Sequence, residues 1–126
     1  MLPKLELTQM AQAMAAQAGA RMGVIAENIA NADTPGYKAR DLPDFADTYR
    51  ANDPLRATRP GHIGVSESGR MPEARIVPAS GAPNGNTVSL EGEMVKAAEA
   101  RQSHEMALAI YRSTSELIRL ALGRGR

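Results

Sequence analysis

SLEGEMVKAAEARQSHEMALAIYRSTSELIRLAL, residues 89–122, is the stretch on which the fold turns. Leu90, Met94, Ala97, Arg101, His104, Leu108, Tyr111, Ser115, Ile118 and Leu122 fall on alternating three- and four-residue steps. Such steps describe a heptad seam, interrupted in its middle by Arg101, His104 and Ser115. At 1.5 Å per residue a helix of this span is about 50 Å long. A rod of that length cannot bury its own apolar stripe, so it must pair with another helix. Leu90, Met94, Ala97, Leu108, Tyr111, Ile118 and Leu122 are its expected packing residues. Arg101 and His104 either extend their heads to solvent or fix the register between helices.

The partner within the chain is the segment from Glu6 to Ala30. Leu7, Ala11, Met14, Ala18, Met22, Ile25 and Ile29 recur at steps of three and four and share one helical face. Gly19 and Gly23 each weaken that helix by roughly 1 kcal/mol relative to Ala. They are either tolerated punctuation or a smooth surface against which another backbone packs. This first helix matches only part of the length of the second, and the excess apolar stripe points to other subunits.

Between the helices the character changes. Pro43, Pro54, Pro60, Pro72, Pro78 and Pro83 lie between residues 38 and 87, together with Gly61, Gly64, Gly69, Gly81 and Gly85. No helical period survives there. HIGV (62–65) and ARIV (74–77) are possible short strands, and Asn84-Gly85 is a tight-turn signal just before the long helix. The expected architecture is therefore mainly α, with long N- and C-terminal helices forming a coiled-coil hairpin. An extended Pro/Gly-rich loop or small β-element joins them. The chain divides into an N-terminal helix with its terminating turn (1–37), a central segment (38–87) and a C-terminal helix (88–126), all within one structural domain.

Composition supports helices over a rounded core. The chain has 126 residues, no Trp, a single Phe and only 3% aromatics. Buried area must then come from Leu, Ile, Met and many alanines rather than from large rings. A formal net charge of +1 argues against nucleic-acid binding, which needs a strong basic excess. The absence of cysteine removes disulfides, thiolate catalysis and zinc–thiolate sites. It suits a reducing cytosol, or a protein exported unfolded that must avoid oxidative cross-links. No apolar run approaches the roughly 20 residues that span a bilayer. Glu6, Gln9, Gln12 and Gln17 interrupt any signal-like apolar run at the N-terminus.

The search for chemistry finds His62 and His104 as the two histidines, and no nucleophile elbow, zinc-protease, P-loop or dinucleotide pattern. Asp41, Asp44 and Asp47 lack calcium-loop spacing and read as a solvated acidic face. No catalytic residue, metal, cofactor or small-molecule substrate is expected, and no direct lipid binding. What remains is the stretch NIANADTPGYKARD (28–41). Asn28 and Asn31 flank the end of the apolar period, and Asn tolerates the left-handed conformation that ends many helices. Thr34 precedes a proline and is pushed towards extended geometry. Pro35-Gly36 fits the central positions of a type II turn, with Asp33 and Thr34 placed to hold it.

This stretch, followed by Asp44-Phe45, is very similar to the N-terminal signature of bacterial flagellar rod and hook proteins, and within them resembles the proximal rod subunits. NGNTVSLEGEMVKAAE (84–99) resembles the lead-in to that family's C-terminal helix, and RATRPGHI (56–63) a weaker central motif. Pro43, Gly92 and His104 depart from the pattern. The resemblance singles out Asn28, Ile29, Asn31, Asp33, Thr34, Pro35, Gly36 and Tyr37 as the signature turn. It implies a structural subunit whose terminal helices polymerise into a hollow, torque-transmitting driveshaft with an export channel. Implied partners are copies of itself, other rod proteins, an adaptor at the rod base and the flagellar export gate. It also implies passage through the flagellar type III apparatus without a cleaved signal, and terminal helices that order fully only on assembly. Another rod subunit of the same family, or a helical-hairpin adaptor, are the alternative readings.

Overall fold

A computed structural model describes residues 2–51 and 72–123 of the chain. Two long helices dominate it: α1 (Leu2–Ala30) and the C-terminal helix (Leu90–Gly123). Between them lie strand β1 (Arg40–Asp41), the short helix α2 (Phe45–Ala51) and strand β2 (Arg75–Ile76), so the C-terminal helix is α3. HIGV and the 56–63 motif lie outside the described residues.

α1 begins four residues earlier than the periodicity suggested, at Leu2. Pro3 in the first turn is compatible with this, because a proline there gives up an N–H that has no intrahelical partner. α1 and α3 are about 44 Å and 51 Å long at 1.5 Å per residue. They run antiparallel: Asn28 meets Glu93, Arg21 meets Glu99, and Ala11 and Ala15 line one small groove with Ala107 and Leu108. Ala11, Ala18 and Ile25 are buried on α1 at seven-residue intervals. Glu93, Ala100, Ala107 and Thr114 are buried on α3 at the same interval. These matched heptads form the intrachain seam, and its small side chains let the two backbones approach closely.

This seam corrects the expected phase of α3. The buried row 93/100/107/114 stands one residue, about 100° of helix, before the row 94/101/108/115. Met94 is 68% exposed, Leu122 is 64% exposed, and Leu90, Arg101 and Tyr111 are also exposed. Ala97, His104, Leu108, Ser115 and Ile118 flank the seam and are half-buried. On α1, Met14 and Met22 flank it similarly, while Leu7 and Ile29 are exposed. The physical reason is that close helix–helix contact selects small side chains, whereas the sequence periodicity was drawn through the largest ones. Beyond about residue 117, α3 has no α1 opposite it, and Leu117, Leu120 and Leu122 are exposed there.

The described parts of the central segment, residues 38–51 and 72–87, lie at one end of the hairpin. β1 pairs antiparallel with β2 in the register Arg40↔Ile76 and Asp41↔Arg75, so within the ARIV segment Arg75 and Ile76 form a two-residue strand. α2 was not legible, because seven residues are too few to display a helical period. Its Phe45 and Tyr49 rings, one turn apart, lie 5.5 Å from each other. Ala39 and Leu42 close over the α1–α3 seam and are buried. Gln17 on α1 donates from Nε2 to the Pro43 carbonyl at 2.6 Å, which anchors the chain just before α2.

Candidate functional site

The end of α1 tightens before it turns. Asn31 N shares its hydrogen between the carbonyls of Glu27 and Asn28 at 3.1 and 3.2 Å, and Ala32 N donates to Ile29 O. Such three-residue steps commonly satisfy the last carbonyls of a helix. Among the described residues only Gly36 and Gly85 have positive φ, so neither asparagine adopts the left-handed cap conformation. Asn31 instead folds its Nδ2 back onto Glu27 O at 2.8 Å and receives the Thr34 hydroxyl on its Oδ1. Tyr37 N then donates to Thr34 O at 3.3 Å, with Gly36 at φ +74°. That is a type II turn with Pro35 and Gly36 at its centre. Asp33, Thr34, Pro35 and Gly36 are exposed; Asn31 and Tyr37 are half-buried.

A second turn faces the first. Gly85 N donates to Ala82 O at 2.8 Å across Pro83-Asn84, and Gly85 has φ +83°. Gly36 N donates to Asn84 O at 3.0 Å. The two glycines are so close that a Cβ on Gly85 would stand 3.4 Å from Gly36 Cα. Asn86, buried between the turns, directs Nδ2 at the carbonyls of Asn31, Ala32 and Thr34 at 2.9, 2.8 and 2.8 Å. Its two amide hydrogens thus serve three carbonyls of the turn that follows α1, while its Oδ1 accepts from Val88 N. Thr87 continues the join: its N donates to Tyr37 O, and its Oγ1 accepts from Ala39 N. Lys38 Nζ reaches Gly85 O at 3.1 Å.

Asn28 is the centre of the inner layer. It is 0% exposed and all its side-chain hydrogen-bonding capacity is used. Nδ2 donates to Arg40 O at 2.7 Å and to Glu93 Oε2 at 3.1 Å, and Oδ1 accepts from Arg40 N and the Tyr37 hydroxyl, both at 3.1 Å. Glu93, 2% exposed, also pairs with Lys96 Nζ at 3.2 Å. Lys96 leads to Asp41 at 3.7 Å. Asp41 takes a two-pronged bond from Arg21, Nε to Oδ1 at 3.1 Å and Nη2 to Oδ2 at 3.2 Å. Arg21 also approaches Glu99 at 3.6 Å, and Arg40 pairs with Glu27. The hydrogen bond that Arg21 donates to Asp41 raises the Arg21 pKa above its ordinary value against the lowering effect of burial. Asp41 is therefore a structural ion-pair partner, which corrects its reading as part of a solvated acidic face. Asp44 and Asp47 are exposed.

The site thus joins residues 28–41 to residues 84–96, and its amides, hydroxyls and paired ions fix the relative position of chain segments. Sequence reasoning singled out one side of this clasp and missed Asn86, Thr87, Glu93, Lys96 and Arg21 as its counterparts. The available signal was the quoted stretch beginning NGNT, where two short polar residues surround a glycine ahead of a helix. Glu93 gave no signal of its own, since an acidic residue in a first helical turn is ordinary.

Comparison with known proteins places these features. A family model described as "Flagella basal body rod protein" matches residues 8–38, which contain most of α1 and the first turn. The flagellar basal body rod protein FlgB of Cereibacter sphaeroides is 37% identical, over 71% of this chain and 73% of its own length. That of Escherichia coli is 35% identical, over 71% and 72% respectively. That of Agrobacterium fabrum is 27% identical and covers 95% of both chains.

Proposed function

The chain belongs to the FlgB family of flagellar basal body rod proteins, structural subunits of that rod, and from this premise we propose how it builds one. It occupies the proximal rod and polymerises through α1 and α3, with copies of itself and with other rod proteins, into a hollow driveshaft. That shaft transmits torque and leaves a channel for the export of later subunits. The adaptor at the rod base and the export gate are its neighbours at one end. It reaches the periplasm unfolded, through the flagellar type III system. Among the described residues no helix is long and apolar enough to cross a membrane.

One observation carries this reading: the α1–α3 seam uses small side chains, and the large apolar ones face outward. Leu90, Met94, Val95, Met106, Tyr111, Leu117, Leu120 and Leu122 are all exposed on α3. They lie on more than one face of α3, and large apolar side chains left exposed in this number support packing against neighbouring subunits. The signature residues Asn28, Asn31, Thr34 and Gly36 have the complementary role of keeping α1 and α3 at one angle under load. Leu7, Leu90, Met94, Tyr111 and Leu122 pack between subunits; Ala11, Ala18 and Ile25 pack within one.

The test uses Met94→Asp and Leu120→Asp, both on exposed positions where a charge leaves the hairpin intact. Each variant should retain the helical circular dichroism of the parent yet fail to restore rods or swimming in a strain lacking the gene. Electron micrographs of normal basal bodies from both complemented strains would overturn the assignment of these faces to assembly.

A further inference from the structure

We propose that Asn84 is a site of spontaneous chemical modification, and that closure of the clasp is what protects it. Asn84 is exposed and precedes Gly85, which has no side chain to shield its amide nitrogen. In such a pair the Gly85 nitrogen can attack Asn84 Cγ. A new N–C bond forms, the bond from Cγ to the side-chain nitrogen breaks, and the Gly85 proton leaves with that nitrogen as ammonia. Water then opens the resulting succinimide. Opening at Cγ yields a backbone amide with the bond passing through Cα, an aspartate. Opening at the other carbonyl yields isoaspartate, whose backbone runs through Cβ and Cγ.

The folded clasp opposes the first step at three points. Gly85 N is committed to Ala82 O at 2.8 Å. Asn84 Oδ1 accepts from Asn86 N at 3.1 Å, which ties down the side-chain amide and restricts its rotation towards Gly85 N. The Asn84 carbonyl accepts from Gly36 N, and Gly85 rests against Gly36, so the peptide between them cannot rotate freely. Attack therefore requires the 82–87 turn to open locally, and its rate follows the population of the open state. The isoaspartate product has an extra backbone carbon at the position that receives Gly36 N. It displaces Asn86 from its three carbonyls, so a modified chain does not close again. Asn84 thus records the time a chain spends with its clasp open.

The experiment incubates the full chain at mildly alkaline pH across a series from urea to trimethylamine N-oxide, which shifts it from unfolded to compact. Circular dichroism gives the folded fraction of each sample. Modification is followed by mass spectrometry of the tryptic peptide 76–96, bounded by Arg75 and Lys96, and by enzymatic methylation of isoaspartate. The rate at Asn84 should track the unfolded fraction and fall at least about tenfold at the compact end, equivalent to about 1.4 kcal/mol of opening free energy. Asn86→Ala should raise that rate in the most compacting solvent, and Asn84→Gln should abolish the signal. A rate independent of folded fraction, modification mapping first to Asn86, or an unchanged rate in Asn86→Ala would each overturn the proposal.

Discussion

Asn28→Asp is the sharpest probe of the clasp, because it changes chemistry without changing shape. Oδ1 still accepts from Arg40 N and Tyr37, but the former donor becomes an acceptor. It then faces Arg40 O at 2.7 Å and Glu93 Oε2 at 3.1 Å. Two unit charges 3.1 Å apart repel by about 5 kcal/mol at an effective dielectric constant near 20. A lost hydrogen bond to Arg40 O at a buried site adds about 1–3 kcal/mol. Lys96, 3.2 Å from Glu93, offsets part of the repulsion, so the net expectation is a loss of about 3–5 kcal/mol. That is a large share of the total stability of a small domain. Glu93→Gln should cost much less alone, and in the double variant its amide can donate to the new carboxylate and recover over half of the loss. Stabilities are read from circular dichroism at 222 nm during urea unfolding, or during osmolyte-driven folding if a variant is already unfolded in buffer. The reasoning fails if Asn28→Asp lies within about 0.5 kcal/mol of the parent, the range of an ordinary surface substitution. It fails equally if Glu93→Gln gives no rescue.

Three further outcomes follow from the same geometry. Gly36→Val should lose about 1–2 kcal/mol from the left-handed backbone alone, since nothing lies within 4 Å of a Cβ there. It should block rod assembly, whereas Gly36→Asn, which tolerates that conformation, should swim; equal swimming by both would contradict this. Gly92→Ala should stabilise the first turns of α3 by up to about 1 kcal/mol, because its Cβ meets only Ser89 at ordinary contact distance; an unfolding midpoint at or below the parent's would refute it. The isolated chain, with a core made mostly of alanines, should be weakly helical when dilute and gain helix with concentration. A dilute monomer that is fully helical and melts cooperatively would rule that out.

How far the sequence could be read depended on whether the cause of a feature was local. The helical periods of α1 and α3, the Pro35-Gly36 turn and the turn around Asn84-Gly85 all arise from residues within a few positions of one another. Backbone sterics and side-chain periodicity act over that range, so these elements and the family likeness followed from the sequence by itself. The phase of the α3 seam did not, because α3 carries apolar residues on more than one face and only the distance of closest approach to α1 selects among them. That distance favours Ala100, Ala107 and Thr114 over Met94, Leu108 and Tyr111. Asn28 was misjudged for a related reason. As a helix-ending residue it needs only its neighbours, but its observed partners, Arg40 and Glu93, lie 12 and 65 residues away. The same holds for Asn86 and the carbonyls of the turn after α1, 52 to 55 residues distant. A buried amide has the same letter in the sequence as an exposed one. Only the tertiary structure decides which of them loses its water and must find its hydrogen bonds inside the protein.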